Sequence, residues 1–356
     1  MDRRPYTRRK RLSRANQWRQ ISPEMEFVKV IGKGSYGSVE LFGNKQNDGS
    51  MFYTAVKITD SKDYSSIDRE FRILSELRGC PRIVQLYGKS LVQGTNCNKT
   101  KVYKMSMEYA ASGNLTNFIK LNRNRLSDSI IKDFTRMILQ GLVSIHSHGY
   151  VHCDLKPDNL LLFPVYDKET WDCSYDLKIS DFGLTTKAGD ESDCWEITAP
   201  WVGTPVYMPP ESVKDGTVEK TLDLWSLGCI VLEMYTSKRP WFGVDLDDDV
   251  KTILLDNKSP EIPNTVPCDA RQFLEKCFAR KPEERGSASE LLLHPFLIGG
   301  RKMVAFAGGE RTGMVLRIRK PPMISKDDIP KKPLKLKIIS QKPLKVQKLS
   351  NEPLRL

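Results

Sequence analysis

Between Glu26 and about Met107, apolar and polar positions alternate with the period of two that a half-buried strand requires. The runs FVKVI (27–31), SVELF (38–42), MFYTAVKI (51–58), RIVQLYG (82–88) and VYKMSMEY (102–109) each read as a strand. Gly43-Asn44 and Asn47-Asp48-Gly49 supply hairpin turns between them. One helix interrupts this series: over 64–78, Ile67, Phe71 and Leu74 recur at i, i+4, i+7. After Gly113 the period changes to helical. Over 127–148, Ile130, Phe134, Met137, Ile138 and Ile145 form one stripe behind a Ser127-Asp128 start, and 221–235, 269–279 and 287–293 read the same way. A strand-rich part followed by a longer helix-rich part predicts an α+β architecture of two lobes with a cleft between them.

Beyond Phe296 the periodicity stops. KPLKLKIISQ (332–341), KPLKVQKLSN (342–351) and EPLRL (352–356) repeat Pro-Leu every ten residues amid cations, a pattern that builds no core. Residues 1–24 are read as a basic arm, 25–298 as the folded domain (small lobe 25–107, hinge 108–112, large lobe 113–298) and 299–356 as a basic tail.

Composition changes this picture in one respect. The 356 residues carry a net charge of +12, which taken whole would suit a binder of polyanions. Residues 1–22 hold eight Lys/Arg and one acid, and 300–356 hold fifteen and four, so the arms contribute +7 and +11 and the segment between them is −6. The positive charge thus belongs to the arms, which lack the interleaved aromatics of a nucleic-acid binder. Eight cysteines without a C-x-x-C pair, and four histidines not spaced with them as ligands, argue against a zinc site and for free thiols in a reducing, intracellular setting. No run approaches the ~18 apolar residues that span a bilayer, so no membrane segment is expected.

The candidate chemistry begins at Gly32-Lys33-Gly34-Ser35-Tyr36-Gly37-Ser38-Val39, a G-x-G-x-x-G run between two predicted strands. Such a run is weak evidence alone, but a following strand argues against a dinucleotide turn, which opens a helix. A glycine hairpin can lie close over phosphates with its N–H groups facing their oxygens. Ala55-Val56-Lys57 ends the third predicted strand, and Glu70 lies on the helix that follows. Lys57 alone reads as a solvated surface charge; fixed by a carboxylate, it can hold phosphate. His152-Cys153-Asp154-Leu155-Lys156-Pro157-Asp158-Asn159 and Asp181-Phe182-Gly183 complete the series.

With these motifs in order, residues 26–298 resemble the eukaryotic protein kinase family, as do Gly203 to Glu211, Asp223 to Gly228 and Arg285 downstream. The resemblance implies a two-lobed kinase fold with ATP in the cleft. It implies that Asp154 accepts the proton of a substrate hydroxyl, that Lys156 reaches the γ-phosphate as in enzymes acting on Ser/Thr, and that Lys57 with Glu70 grips the α/β-phosphates. Asn159 and Asp181 would hold Mg²⁺, with Mn²⁺ as a substitute. The ATP site would comprise Ile31, Gly32, Lys33, Gly34, Ser35, Tyr36, Gly37, Ser38, Val39, Ala55, Lys57, Glu70, Met107 as gatekeeper, and backbone groups of Glu108 and Ala110. Met107 also reads as ordinary core packing. Asp158, Asp176 and Asp223 read equally as turn or cap residues, and no chemistry is assigned to them.

Two departures stand out. Cys153 replaces the arginine that in many kinases pairs with a phosphorylated activation loop, which predicts a loop phosphate that does not act through this contact. Pro209-Pro210-Glu211 replaces Ala-Pro-Glu, keeping a Glu expected to pair with Arg285. Phe163 to Asp176 reads as a surface hairpin insertion. Within the activation segment Thr198 is the regulatory candidate, and Thr204 a second one that also reads as structural, reaching toward Asp154.

REFRILSEL, HCDLKPDN, GTPVYMPPES and SLGCIVLEMYTSKRPW look most like the plant mitogen-activated protein kinase kinase kinases. That likeness implies protein substrates, namely downstream kinase kinases docking on Lys331 to Val346, where basic clusters precede alternating apolar residues. A partnerless, solvated tail is the competing reading. Arg8-Arg9-Lys10-Arg11 reads as an import signal, placing the protein in cytoplasm or nucleus, or as a solvated cluster. The alternative function class is a catalytically weak kinase-like scaffold recruiting partners through its tails; such a scaffold is expected to lack one of Lys57, Asp154, Asn159 or Asp181, and all four are present.

Overall fold

Strands β1 (Glu26–Gly34), β2 (Gly37–Lys45), β3 (Met51–Asp60), β4 (Val92–Thr95) and β5 (Lys101–Glu108) form an antiparallel sheet in the order β1-β2-β3-β5-β4. The computed structural model describes residues 25–34, 37–96, 99–123, 126–167, 173–189, 203–242 and 258–299. Both basic arms, the Ser35-Tyr36 tip, Thr198, the docking segment and the import signal therefore lie outside the described residues.

Helix α1 (Tyr64–Glu76) buries Ile67, Ile73 and Leu74 on one face and places Glu70 among them. A carboxylate on an apolar stripe is costly unless a cation meets it. That requirement links α1 to β3.

The 82–88 segment is not the expected strand. It is extended but makes single bridges to two partners, Ile83 to Ile179 and Leu86 to Met107. Pro81 precedes it and Arg82 takes a left-handed φ of 63°, while Ile83, Val84 and Leu86 are all buried. The segment is a wedge between the lobes that buries Ile83, Val84 and Leu86 while Arg82, Gln85 and Tyr87 stay half-buried. The strand that completes the sheet beside β5 is β4, whose VQGT carries too little apolar pattern to announce itself.

The large lobe is helical: α2 (Leu115–Leu121), α3 (Asp128–Ser147), α4 (Pro210–Asp215), α5 (Lys220–Thr236) and α6 (Cys268–Cys277). Ser127 caps α3 by accepting from the Ile130 amide. Helix α5 is buried almost all round, from Leu222 to Met234, as the central helix of a lobe must be. The insertion is a hairpin of β7 (Leu160–Tyr166) and β8 (Cys173–Ile179), with β6 (Tyr150–Val151) pairing β9 (Thr186–Lys187) beside it. One continuous apolar core runs from Ala55 and Leu74 through Ile83 and Met107 into Phe134, Leu162, Trp225 and Phe273. Among the described residues no helix is long and apolar enough to cross a membrane.

Candidate active site

The sheet brings the nucleotide-side candidates together by register. Gly34 pairs with Gly37 and Gly32 with Val39 across β1 and β2; Val39 faces Lys57 across β2 and β3; Ala55 faces Met107 across β3 and β5. Ile31, Lys33 and Ser38 lie on the same hairpin. Gly37 has φ 140°, and a Cβ there would stand 2.0 Å from the Ile58 carbonyl oxygen, so this turn admits only glycine. Met107 is buried in the core and stands opposite Ala55, which bears out the core-packing reading.

Lys57 Nζ donates to Glu70 Oε2 at 2.6 Å and to Asp181 Oδ1 at 3.0 Å. Burial alone would pull the Lys57 ammonium down, but Glu70 and then Asp181 reverse this and hold it above the ordinary lysine value. Burial would likewise raise Asp181, yet the Lys57 charge outweighs it and keeps the carboxyl below the usual range. Asp181 sits in the left-handed region at φ 63°, a backbone cost held by what surrounds it. Phe182 is fully buried, edge-on to His152, and its amide donates to Glu70 Oε1 at 3.3 Å.

The second cluster surrounds Asp154. Thr204 Oγ1 donates to Asp154 Oδ1 at 2.7 Å, while Lys156 Nζ donates to Oδ2 at 2.7 Å and to Thr204 Oγ1 at 2.8 Å. Asn159 Nδ2 donates to the Asp154 carbonyl at 2.8 Å and to Oδ2 at 3.2 Å. The Asn159 carbonyl accepts from both the amide and the hydroxyl of Ser180, the residue before Asp181. The two metal-ligand candidates are thus tied by a hydrogen-bonded link one residue long. Gly203, at φ 124°, brings Thr204 in: a Cβ on it would stand 2.5 Å from the Cys153 carbonyl.

Cys153 also has a left-handed φ, of 67°, and packs with Val151, Val218 and Leu222 as a small apolar side chain. Burial pushes its thiol well above the ordinary value, with the Asp223 charge adding to the effect.

Four side chains contribute through contacts to which the motifs assign no role. Asp223, wholly buried, accepts from the backbone amides of His152 and Cys153 and from His146 Nε2, holding the Asp154 loop from below. The Glu108 side chain takes Lys178 Nζ on both oxygens at 2.7 Å and the Gln85 amide at 2.8 Å, so its carboxylate is committed to these partners. The Glu108 amide donates to the Gln85 carbonyl, and the Ala110 carbonyl accepts from Gly113. Asp176, read as a turn residue, instead pairs with Arg82, whose Nε donates to Gln140 at 3.0 Å. Arg69 Nη2 donates to the Gly183 carbonyl at 2.7 Å. A sequence signal exists only for Asp223, in its position ahead of Leu-Trp-Ser; the others depend on distant partners.

Among the described residues no three His, Cys, Asp or Glu side chains converge as a self-contained metal site. A charged Asp181 carboxylate and the Asn159 amide, whose nitrogen is committed to Asp154, nevertheless fit a hard divalent cation that completes its shell with phosphate oxygens and water.

Residues 25–297 match the family described as Protein kinase domain. The chain is 32% identical over 281 residues to Mitogen-activated protein kinase kinase kinase 20 of Arabidopsis thaliana, covering 77% of this chain and 78% of that one. It is 33% identical over 276 residues to Mitogen-activated protein kinase kinase kinase 18 of the same plant, covering 76% of each. With Serine/threonine-protein kinase BCK1/SLK1/SSP31 of Saccharomyces cerevisiae it shares 37% over 278 residues, 75% of this chain but 18% of that protein. The chain belongs to the protein kinase family: it is a protein serine/threonine kinase, using ATP and a divalent metal.

Proposed function

We propose that this protein is a mitogen-activated protein kinase kinase kinase, transferring the γ-phosphoryl group of ATP to Ser or Thr of a downstream kinase kinase. The observation that carries the reading is the Asp154–Lys156–Thr204 cluster: Lys156 and Thr204 share the Asp154 carboxylate, and a lysine two positions past that aspartate is what the resemblance to kinases acting on Ser/Thr implies. The names of the similar plant proteins support the cascade level.

The chain's own groups divide the work. Asp154 accepts the proton of the substrate hydroxyl as its oxygen bonds to the γ-phosphorus and the bond to the β-phosphate oxygen breaks, leaving ADP. Lys156 neutralises charge at the transferred group. Lys57, held by Glu70, grips the α/β-phosphates as a fixed point charge. Asn159 and Asp181 would hold Mg²⁺, which would offset the phosphate charge. The Gly32–Gly37 hairpin covers the phosphates, and Ile31, Val39, Ala55 and Met107 pack on adenine, with Glu108 and Ala110 backbone groups at its edge. Lys331 to Val346 docks the substrate kinase, laying cations on an acidic patch and apolar side chains in a groove. Arg8 to Arg11 directs a cytoplasmic and nuclear distribution.

The test pairs wild type with Asp154→Asn and with a chain lacking 329–356, each given Mg·ATP and either a generic basic protein or a MAP kinase kinase. Wild type is expected to phosphorylate both, Asp154→Asn neither, and the truncated chain the generic protein alone. Equal transfer by wild type and Asp154→Asn overturns the catalytic reading; full activity of the truncated chain on the kinase kinase overturns the docking reading alone.

A further inference from the structure

We infer that Arg69 is a positioning residue that locks the Asp181-Phe182-Gly183 turn to helix α1, so that this kinase assembles its metal site without a phosphate on the activation loop. The inference rests on the reading of Asp181 as a metal ligand.

The geometry is a grip by two neighbouring residues. Glu70 Oε1 accepts from the Phe182 amide at 3.3 Å, and the adjacent Arg69 Nη2 donates to the Gly183 carbonyl at 2.7 Å. One turn of α1 therefore holds the backbone immediately after Asp181 from both its donor and its acceptor side, while Lys57 holds the Asp181 carboxylate itself. Asp181 needs such support because its φ of 63° is a conformation a non-glycine residue leaves readily when released. A guanidinium bonded to a carbonyl is a charge-assisted contact, stronger than the neutral backbone bonds near it.

At Cys153 the Asp154 loop offers a phosphate no charge. Cys153 is buried in the apolar cluster of Val151, Val218 and Leu222, and its amide is taken by Asp223. A phosphate arriving there would meet a neutral thiol among hydrocarbon. The Arg69 charge does reach this region, bearing on the Cys153 thiol, but its guanidinium is already directed at Gly183. The helix thus supplies from within the small lobe an ordering contact that does not wait for modification.

The experiment compares full-length wild type, Arg69→Gln, Arg69→Lys and Arg72→Gln on a generic substrate at saturating ATP, with magnesium varied. Arg72 is the control: it is an exposed cation on the same helix, paired with Asp68. Arg69→Gln is expected to lose roughly tenfold or more in kcat, the scale of a charge-assisted hydrogen bond, and to need severalfold more magnesium for half-activation. Arg69→Lys should recover part of both, Arg72→Gln should match wild type, and phosphatase treatment should leave the wild-type rate unchanged. A wild-type kcat and magnesium midpoint in Arg69→Gln overturns the inference. So does a rate lost only in step with thermal stability at an unchanged midpoint, or a phosphatase-sensitive wild type. Should Arg69→Gln fail to fold, a wild-type midpoint in Arg69→Lys overturns it. Asp181→Asn separates the premise: full activity there removes the metal-ligand reading, whereas an inactive Asp181→Asn beside an unaffected Arg69→Gln removes this inference alone.

Discussion

Arg285 and Glu211 form a two-pronged ion pair, Nη1 to Oε1 at 2.5 Å and Nη2 to Oε2 at 3.0 Å, with the arginine side chain wholly out of solvent. The same guanidinium donates through Nε to the Ala279 carbonyl and lies 4.9 Å from the centroid of the Trp225 ring. The contact pins the end of the activation segment to the floor of the large lobe. Arg285→Met leaves Glu211 without its cation, and the expected loss is ~3–5 kcal/mol. Replacing both residues with apolar ones of similar volume should cost less than the single change. Denaturant unfolding of the three proteins measures this; a single variant as stable as wild type refutes the structural role.

Thr204 tests the other cluster. Thr204→Ala removes a hydroxyl that donates to Asp154 and accepts from Lys156. A hydrogen bond to a charged group is worth ~1.5–3 kcal/mol, so kcat should fall on the order of ten- to a hundredfold with little change in melting temperature. Thr204→Ser should retain most activity. Equal losses in Ser and Ala variants would point to the methyl group instead.

The Lys57 cluster makes stability depend on pH. Asp181 is held below the ordinary value, so its contribution is present above about pH 4 and lost as pH falls through its folded value. Lys57 is held above its ordinary value, so its contribution is present below about pH 10.4 and lost as pH rises through its folded value. The stability gap between wild type and Lys57→Met should therefore be widest between these limits and narrow in acid and in strong alkali. The Asp181 part is modest, because its side chain is 48% exposed and solvent screens it. Denaturation midpoints across the pH series check this, and a gap independent of pH contradicts it.

Two glycines of the phosphate hairpin should behave differently. A Cβ on Gly34 meets nothing within 4 Å, whereas one on Gly37 meets the Ile58 carbonyl at 2.0 Å with φ at 140°. Gly34→Ala should change stability by no more than about 0.5 kcal/mol. Gly37→Ala should cost on the order of 3 kcal/mol, since both the clash and the dihedral lie in backbone. Melting temperatures of the two variants decide it.

Several features were readable in the chain because their signal is local. Ser127-Asp128 opens α3 through its own cap, and the 163–176 insertion pairs as a hairpin, Phe163 opposite Asp176. The 82–88 segment reads as a strand for a physical reason: apolar pattern reports burial, and a wedge that buries Ile83, Val84 and Leu86 carries as much apolar character as a strand. Val92 to Thr95 is silent because four residues, two of them exposed, are too short a run to show a period. Lys178 and Glu108 meet across 70 positions, and Arg69 and Gly183 across 114, with no spacing rule to announce either.

What the sequence determined by itself is the inventory of reactive groups and their order: a glycine hairpin, Lys57, Glu70, the Asp154 loop, Asp181 and the periodicities that place each on its element. Those follow from dihedral preferences and from hydrophobic spacing, which act over a few residues. How the groups face one another is set by the folded chain. It turned the Glu108 carboxylate toward Lys178, buried Asp223 beneath the Asp154 loop and set Arg69 on the Gly183 carbonyl. Each of these pairings joins residues far apart in the chain, and a buried charge is stable only beside the partner that the completed fold delivers.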